Sequence, residues 1–290
     1  MTYHLYLGDY SYSSWSLRGW LSFRRFGIPV DIHLVDFNAG SVAEQMAAIR
    51  PARTVPTLIT PEGSVIWDSL AMAEELATRH PEAGLWPTDP AARACARSLA
   101  AEMHSGFGAL RSACPMNLRL AYTGVDVADA VLADIQRIEE LWTYAREGFG
   151  TAGPWLCGAY SVADVAFAPM AMRLAGYDLP MSDTARDYVQ AHLTDPALRR
   201  WRAMGLVRGD DLARYAQPYA RVPWPGPTPL PASATEHGTP ENDTCPYSGD
   251  PVTHFLAIQG RIFGFCNAFC RDKTIADPEA WPAFMALLAK

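Results

Sequence analysis

The chain is 290 residues long, enough for two domains and a small third. Its 24 Lys and Arg against 31 Asp and Glu give a formal charge of −7, which argues against a strongly basic nucleic-acid binder. With 49% hydrophobic and 19% charged residues it has the make-up of an ordinary globular protein, and no apolar run reaches the ~18–20 residues of a membrane-spanning helix.

The first ten residues read as a strand and lack the basic and small-residue features of a signal peptide. A cytoplasmic chain with no membrane and no nucleic-acid partner is therefore expected. Its six cysteines are then expected to be reduced or metal-bound rather than paired.

Residues 3–8 alternate as a strand should. Ser13 or Ser14 can cap a helix through Leu17, Trp20, Leu21 and Phe23, which ends near Gly27-Ile-Pro29. A second strand at 32–35 and a short helix at 42–49 follow. Strands 57–60 and 64–67 flank the turn Pro61-Glu-Gly63, and a helix from Ser69 closes at His80-Pro81. From Asp89 onward the pattern is helical: Asp89-Pro90 to about Ala113, 127–147, a helix opened by the capping box Ser161-Val-Ala-Asp164, then 184–193 and 196–206. Residues 218–244 are rich in proline and predict an extended spacer. A compact segment begins at Cys245. The expected organisation is an α/β domain at 1–83, an all-α domain at 84–217, a linker at 218–244 and a cysteine-containing α+β module at 245–290.

The order β-α-β-α-β-β-α, with a Val-Pro dipeptide before the third strand, resembles a thioredoxin fold. Four motifs sharpen this: Tyr12-Ser-Ser-Trp-Ser-Leu-Arg18, Arg53-Thr-Val-Pro-Thr-Leu58, Trp67-Asp-Ser-Leu-Ala71 and Ser161-Val-Ala-Asp164. Together, over about residues 3–215, they resemble the glutathione transferase family, and the Ser-Ser-x-Ser segment is most similar to its serine-type zeta class, which includes maleylacetoacetate isomerases. The resemblance implies a thioredoxin-like domain followed by a helical one, glutathione as co-substrate, a small electrophilic second substrate and a homodimer.

Carried onto these positions, the resemblance makes Ser13 the serine that stabilises the glutathione thiolate, with Ser14 and Ser16 as alternatives. A helix N-terminus, with its free N–H groups and positive dipole end, suits an anion, and serines there also serve as plain caps. Val55, before a cis Pro56, would meet the cysteinyl backbone. Asp68, where the family usually has Glu, and Ser69 would hold the γ-glutamyl end. Arg53 would face the glycyl end. Trp15 could be cleft wall or core, and Arg18 structural or a partner for a substrate carboxylate. In the helix after Asp89, Met103, Phe107 and Arg111 fall at i, i+4 spacing beside His104 and would line the second-substrate cleft.

The last 46 residues are not required by the transferase reading. Cys245, Cys266 and Cys270 form a Cys-x20-Cys-x3-Cys pattern that resembles small YHS/TRASH-type metal-binding modules, with Ser248 where a second cysteine often stands. Three thiolates suit zinc or another soft metal. His254, Asp272 and His237 are the candidates for a fourth ligand. The competing reading is a metal-free mini-fold held by Phe255, Phe263, Phe265, Phe269, Trp281 and Phe284.

Two functions compete. One is an enzyme, a glutathione S-transferase or glutathione-dependent isomerase. The other is a non-catalytic glutathione- or metal-binding sensor that uses the cysteine module.

Overall fold

The computed structural model describes residues 2–150 and 153–290. Contacts divide the chain into two units, residues 1–192 with 212–225, and residues 193–211 with 226–290.

The first unit opens with β1 (His4–Leu7), α1 (Ser14–Arg24), β2 (Asp31–Leu34), the single-turn α2 (Val42–Gln45), β3 (Thr57–Ile59), β4 (Val65–Ile66) and α3 (Ser69–Arg79). The sheet runs β2-β1-β3-β4, with β1 parallel to β2 and antiparallel to β3, and β3 antiparallel to β4. This is the thioredoxin-like arrangement. Leu5 and Leu7 of β1 are fully buried, whereas His4 and Tyr6 point to a less covered face, so the strand alternates as its sequence does. α1 packs close to the third strand's approach because residue 19 is glycine. A Cβ there would lie 2.7 Å from the Pro56 Cβ. The Val55–Pro56 bond is cis.

Helices follow: α4 (Pro90–Ser105), α5 (Gly108–Ala113), then the strand β5 (Ala121–Thr123), α6 (Asp129–Phe149), α7 (Val162–Gly176) and α8 (Asp183–Thr194). The single helix expected from Asp89 to about Ala113 is two helices. It stops at Gly106, and Phe107 turns the chain in the left-handed region at φ 58°. Glycine is a poor interior residue, and a Cβ at Gly106 would lie 2.8 Å from the Glu102 carbonyl oxygen. Ser161 and Asp164 form the expected capping box at the start of α7, and Asp164 also accepts from the Leu156 amide and the Tyr188 hydroxyl. That places both residues in the core.

His192, near the end of α8, is buried against the edges of Trp155 and Tyr188, and its Nε2 meets no partner among the described residues. Burial, aided by Arg25, pushes its ring down to about 3. An unfolded histidine titrates near ~6.5, so below that pH the unfolded chain binds more protons and folded stability falls. Asp164 is pushed up to about 6 by burial, against the pull of its hydrogen bonds, and acts in the opposite sense below pH 6. His192→Phe is therefore expected to reduce the stability lost between pH 7 and pH 5, read from urea midpoints. An unchanged slope would assign that loss to other groups.

The second unit contains α9 (Pro196–Val207). The chain then passes through β6 (Ala220–Val222), which belongs to the first unit and pairs with β5, before it returns to the second unit with β7 (Ala232–Thr235), β8 (His254–Ile258), β9 (Arg261–Phe265), α10 (Ala268–Ala276) and α11 (Pro282–Leu288). β7, β8 and β9 form an antiparallel sheet. Residues 218–244 are thus not a free spacer, since strands form within them on both sides of the proline run. Phe263, Phe265 and Phe284 are fully buried, and the Phe284 ring meets Phe263 edge-on and Phe265 at a tilt. Arg199 of α9 makes a two-armed ion pair with Asp277 at 2.8 and 2.7 Å. α9 therefore belongs with the C-terminal module and not with the helices before it.

Candidate active site and cysteine cluster

A cleft of about 530 Å³ lies at the N-terminus of α1. Ser13, Ser14, Trp15, Phe37, Arg111, Arg173 and Tyr215 are among the residues lining it, and none of its described lining residues is acidic.

Ser13 is the N-cap of α1. Its Oγ accepts from the Ser16 amide at 3.3 Å and lies 2.7 Å from the Ser16 Oγ, to which it donates. The Ser16 Oγ in turn accepts from the Gly8 amide at 2.8 Å. The helix start is thereby tied to the end of β1. Asp9 shapes the intervening turn, accepting from the Ser11 and Tyr12 amides. Ser14 is half-buried, and the Arg173 Nη2 reaches its Oγ at 3.5 Å.

Trp15 is cleft wall. Arg18 and Arg111 cover its ring at 4.5 and 4.8 Å from the centroid, and the His104 ring lies at 5.0 Å. His104 Nε2 is 3.2 Å from Asp68 Oδ2. Asp68 caps α3 with its other oxygen, accepting from the Leu70 and Ala71 amides. Thr54 donates to the Trp67 carbonyl and so joins the loop that carries Val55 and Pro56 to the loop that carries Asp68 and Ser69. Arg53 is exposed on the first of these loops.

Three expected cleft or cofactor residues are placed otherwise. Arg18 is buried. It donates to the Ala166 carbonyl, the Ser14 carbonyl and the Met103 sulfur, so it holds α1 against α7, the structural one of its two expected roles. Met103 is fully buried beneath it. Phe107 is also buried, packed near Phe167, because the break at Gly106 takes it out of the helical stripe. Arg111 alone of that stripe reaches the cleft.

Arg173 was not among the expected residues. It lies inside α7, buried, and donates to the Cys114 and Pro169 carbonyls. Burial and the neighbouring Arg111 push it down to about 10, so it remains a cation at neutral pH. Burial, Arg173 and Arg111 likewise hold Arg18 well below the usual arginine range. A lone arginine within the apolar run 162–176 was the available signal, because such a residue is rarely buried without a task. Tyr215, on the turn Ala213–Tyr215, packs on Tyr12 with ring centroids 4.6 Å apart, and it carried no sequence signal.

In the second unit, Cys245, Cys266 and Cys270 place their sulfurs within 4.8 Å of one another. Backbone amides of Cys266, Tyr247 and Ser248 outweigh burial at Cys245 and lower its thiol, whereas burial raises that of Cys270. No His, Asp or Glu joins the cluster among the described residues. His254 instead contacts the Thr253 hydroxyl at 2.9 Å, Asp272 pairs with Arg271 at 2.7 Å, and His237 sits on an exposed turn. The three expected fourth-ligand candidates are therefore elsewhere.

A thioredoxin-like α/β domain followed by helices defines the glutathione transferase fold. A glutathione transferase homolog from Burkholderia with bound glutathione superposes with a TM-score of 0.52 at 22% identity, over 69% of this chain and 96% of that one. Glutathione transferase Omega 3C from Trametes versicolor gives 0.54 at 21%, over 74% and 92%.

Residues 12–79 match the glutathione S-transferase N-terminal domain family. The chain is 34% identical over 99 residues to a probable maleylacetoacetate isomerase of Caenorhabditis elegans, over 34% of this chain and 45% of that protein. It is 30% identical over 114 residues to a maleylacetoacetate isomerase of Dictyostelium discoideum, over 39% and 52%. The chain thus spans about half the length of the curated relatives it matches. No described helix is long and apolar enough to cross a membrane.

Proposed function

We propose that the protein is a glutathione-dependent transferase or isomerase of the maleylacetoacetate isomerase type. The observation that carries this reading is the linkage, in one unit, of a serine-capped helix start to the Asp68–Ser69 helix start through Trp15, His104 and Asp68, and of the latter to the Val55–Pro56 loop through Thr54 and Trp67, with the serines opening on a cleft whose charged walls are arginines.

In this reading Asp68 meets the α-amino group of glutathione, while Ser69 and the α3 N-terminus hold its α-carboxylate. Val55 pairs with the cysteinyl backbone and Arg53 faces the glycyl carboxylate. Ser13 donates to the thiolate. Hydroxyl protons rotate freely, so on thiolate arrival Gly8 N–H, Ser16 O–H and Ser13 O–H can align as one chain of donors that ends on sulfur. The helix dipole adds to this and lowers a thiol from its free value of ~8.5 towards neutrality.

The thiolate then adds to an electrophilic carbon of the second substrate. With a conjugated cis double bond, addition, rotation about the resulting single bond and elimination of the thiolate give the trans isomer and regenerate glutathione. Arg111 and Arg173 favour a substrate that carries a carboxylate. A homodimer, implied by the transferase resemblance, is part of the same reading.

The Cys245–Cys266–Cys270 cluster fits a soft metal ion, because three thiols converge from two segments with their sulfurs within 4.8 Å of one another. A metal bound there would supply cross-linking of the module's turn, sheet and helix.

Calorimetric titration with glutathione, with turnover of maleylacetoacetate and of an uncharged conjugation substrate, tests the enzyme reading. Binding and turnover of the acidic substrate are expected. Absence of glutathione binding at millimolar concentration overturns it and leaves a non-catalytic sensor as the alternative.

A further inference from the structure

Zinc-type sites built to cross-link a fold are closed by four protein ligands, and sites that keep an exchangeable position use three. The cysteine cluster has three. Its first strand of ligands is the turn Cys245-Pro-Tyr-Ser248, and position 248 offers an oxygen. The Ser248 Oγ lies 3.4 Å from the Cys266 sulfur and also accepts from the Asp250 amide at 3.3 Å. Asn267 Nδ2 donates to the same sulfur at 3.3 Å. Cys266 itself is only partly buried, so solvent reaches this side.

Charge limits what the site can hold. Lys273, three residues after Cys270 on α10, is buried, 8% exposed, with its ammonium 4.3 Å from the Tyr247 ring centroid and 4.4 Å from that of Trp281. Three thiolates with a divalent ion carry one net negative charge, which one ammonium balances. A monovalent ion leaves one charge uncompensated, and so does a fourth thiolate on a divalent ion. Uncompensated charge is costly on the side of Cys245 and Cys270, which are buried.

We propose, building on the metal reading above, that the cluster is a three-thiolate site for a divalent ion of the zinc class, with its fourth position held by oxygen at Ser248, from the hydroxyl or a water on it, and hence exchangeable. Position 248 decides whether the site is open or locked.

The test uses the full chain loaded with Zn(II) or Co(II). X-ray absorption of the zinc form is expected to show three sulfurs and one lighter donor. Ser248→Cys is expected to show four sulfurs, to raise the sulfur-to-cobalt charge-transfer intensity by about a third, in proportion to the thiolate ligands, and to slow removal of zinc by a chelator. Ser248→Ala, with circular dichroism as the check on folding, is expected to keep three sulfurs. Four sulfurs in the unaltered protein, or three in Ser248→Cys with zinc retained, overturns the oxygen position and leaves the metal reading standing. Failure of the unaltered protein to retain either ion defeats the metal reading itself.

Discussion

Ser13→Ala is expected to lower kcat/KM for glutathione-dependent turnover by roughly 10²–10³-fold, the scale of loss when one donor to a developing or bound anion is removed. The same change removes the side-chain cap of α1, where Ser13 accepts from the Ser16 amide, and should cost about 1 kcal/mol of stability. These two effects are separable. The cap loss appears as a lower melting temperature. The lost donor appears as an upward shift of the kcat/KM pH profile, as the bound thiol returns towards its free value of ~8.5. Ser14→Ala is expected to do much less to the profile, since its hydroxyl is not part of the Gly8–Ser16–Ser13 chain. Steady-state kinetics over pH 5–9 on both variants decides between them. A large shift in Ser14→Ala with none in Ser13→Ala would transfer the role to Ser14, beside the Arg173 guanidinium.

Arg173→Met should separate acidic from uncharged substrates. The guanidinium lines the cleft with no acidic lining residue to balance it, and burial already makes its charge expensive. Losing it is expected to reduce kcat/KM for a carboxylate-bearing substrate by roughly 30–100-fold, corresponding to a charged hydrogen bond of about 2–3 kcal/mol, while an uncharged electrophile loses only a few-fold.

Stability should change little, because two terms oppose. The folded guanidinium titrates near 10 and the unfolded one near 12.5, so the unfolded chain binds its proton more tightly and the burial penalty is fully present at neutral pH. Removing the charge relieves that penalty. Against this, the Cys114 carbonyl loses its donor. A melting temperature that collapses, or equal losses on both substrates, would mark Arg173 as a strut for α7 alone.

Much of the site was legible because its residues sit at chain punctuation. Ser13 and Asp68 are caps, Pro56 precedes a strand, and such positions announce themselves through local backbone chemistry. The cysteine trio was legible from spacing alone. The second-substrate side was not. Met103, Phe107 and Arg111 fit one helical face on paper, but the left-handed turn at Phe107 breaks that face, and a glycine in a run of helix formers does not by itself say where a helix ends. Arg173 and Tyr215 reach the cleft from 60 to 100 residues beyond α5, and no local pattern encodes that reach. For Arg18 two roles stood open, structural or a partner for a substrate carboxylate, and its bonds to the Ala166 carbonyl and the Met103 sulfur are of the structural kind, which no local pattern decides.

The placement of α9 bears on where this chain can be divided. The helix lies within the stretch that the transferase resemblance covers, yet Arg199 finds its carboxylates on Asp277 and Glu279 and α9 packs on α10. α9 and the C-terminal segment share an ion pair and one compact unit, so a cut between them separates Arg199 from its carboxylates. A cut that leaves the C-terminal unit whole therefore falls before α9, inside the transferase-like stretch, instead of after it.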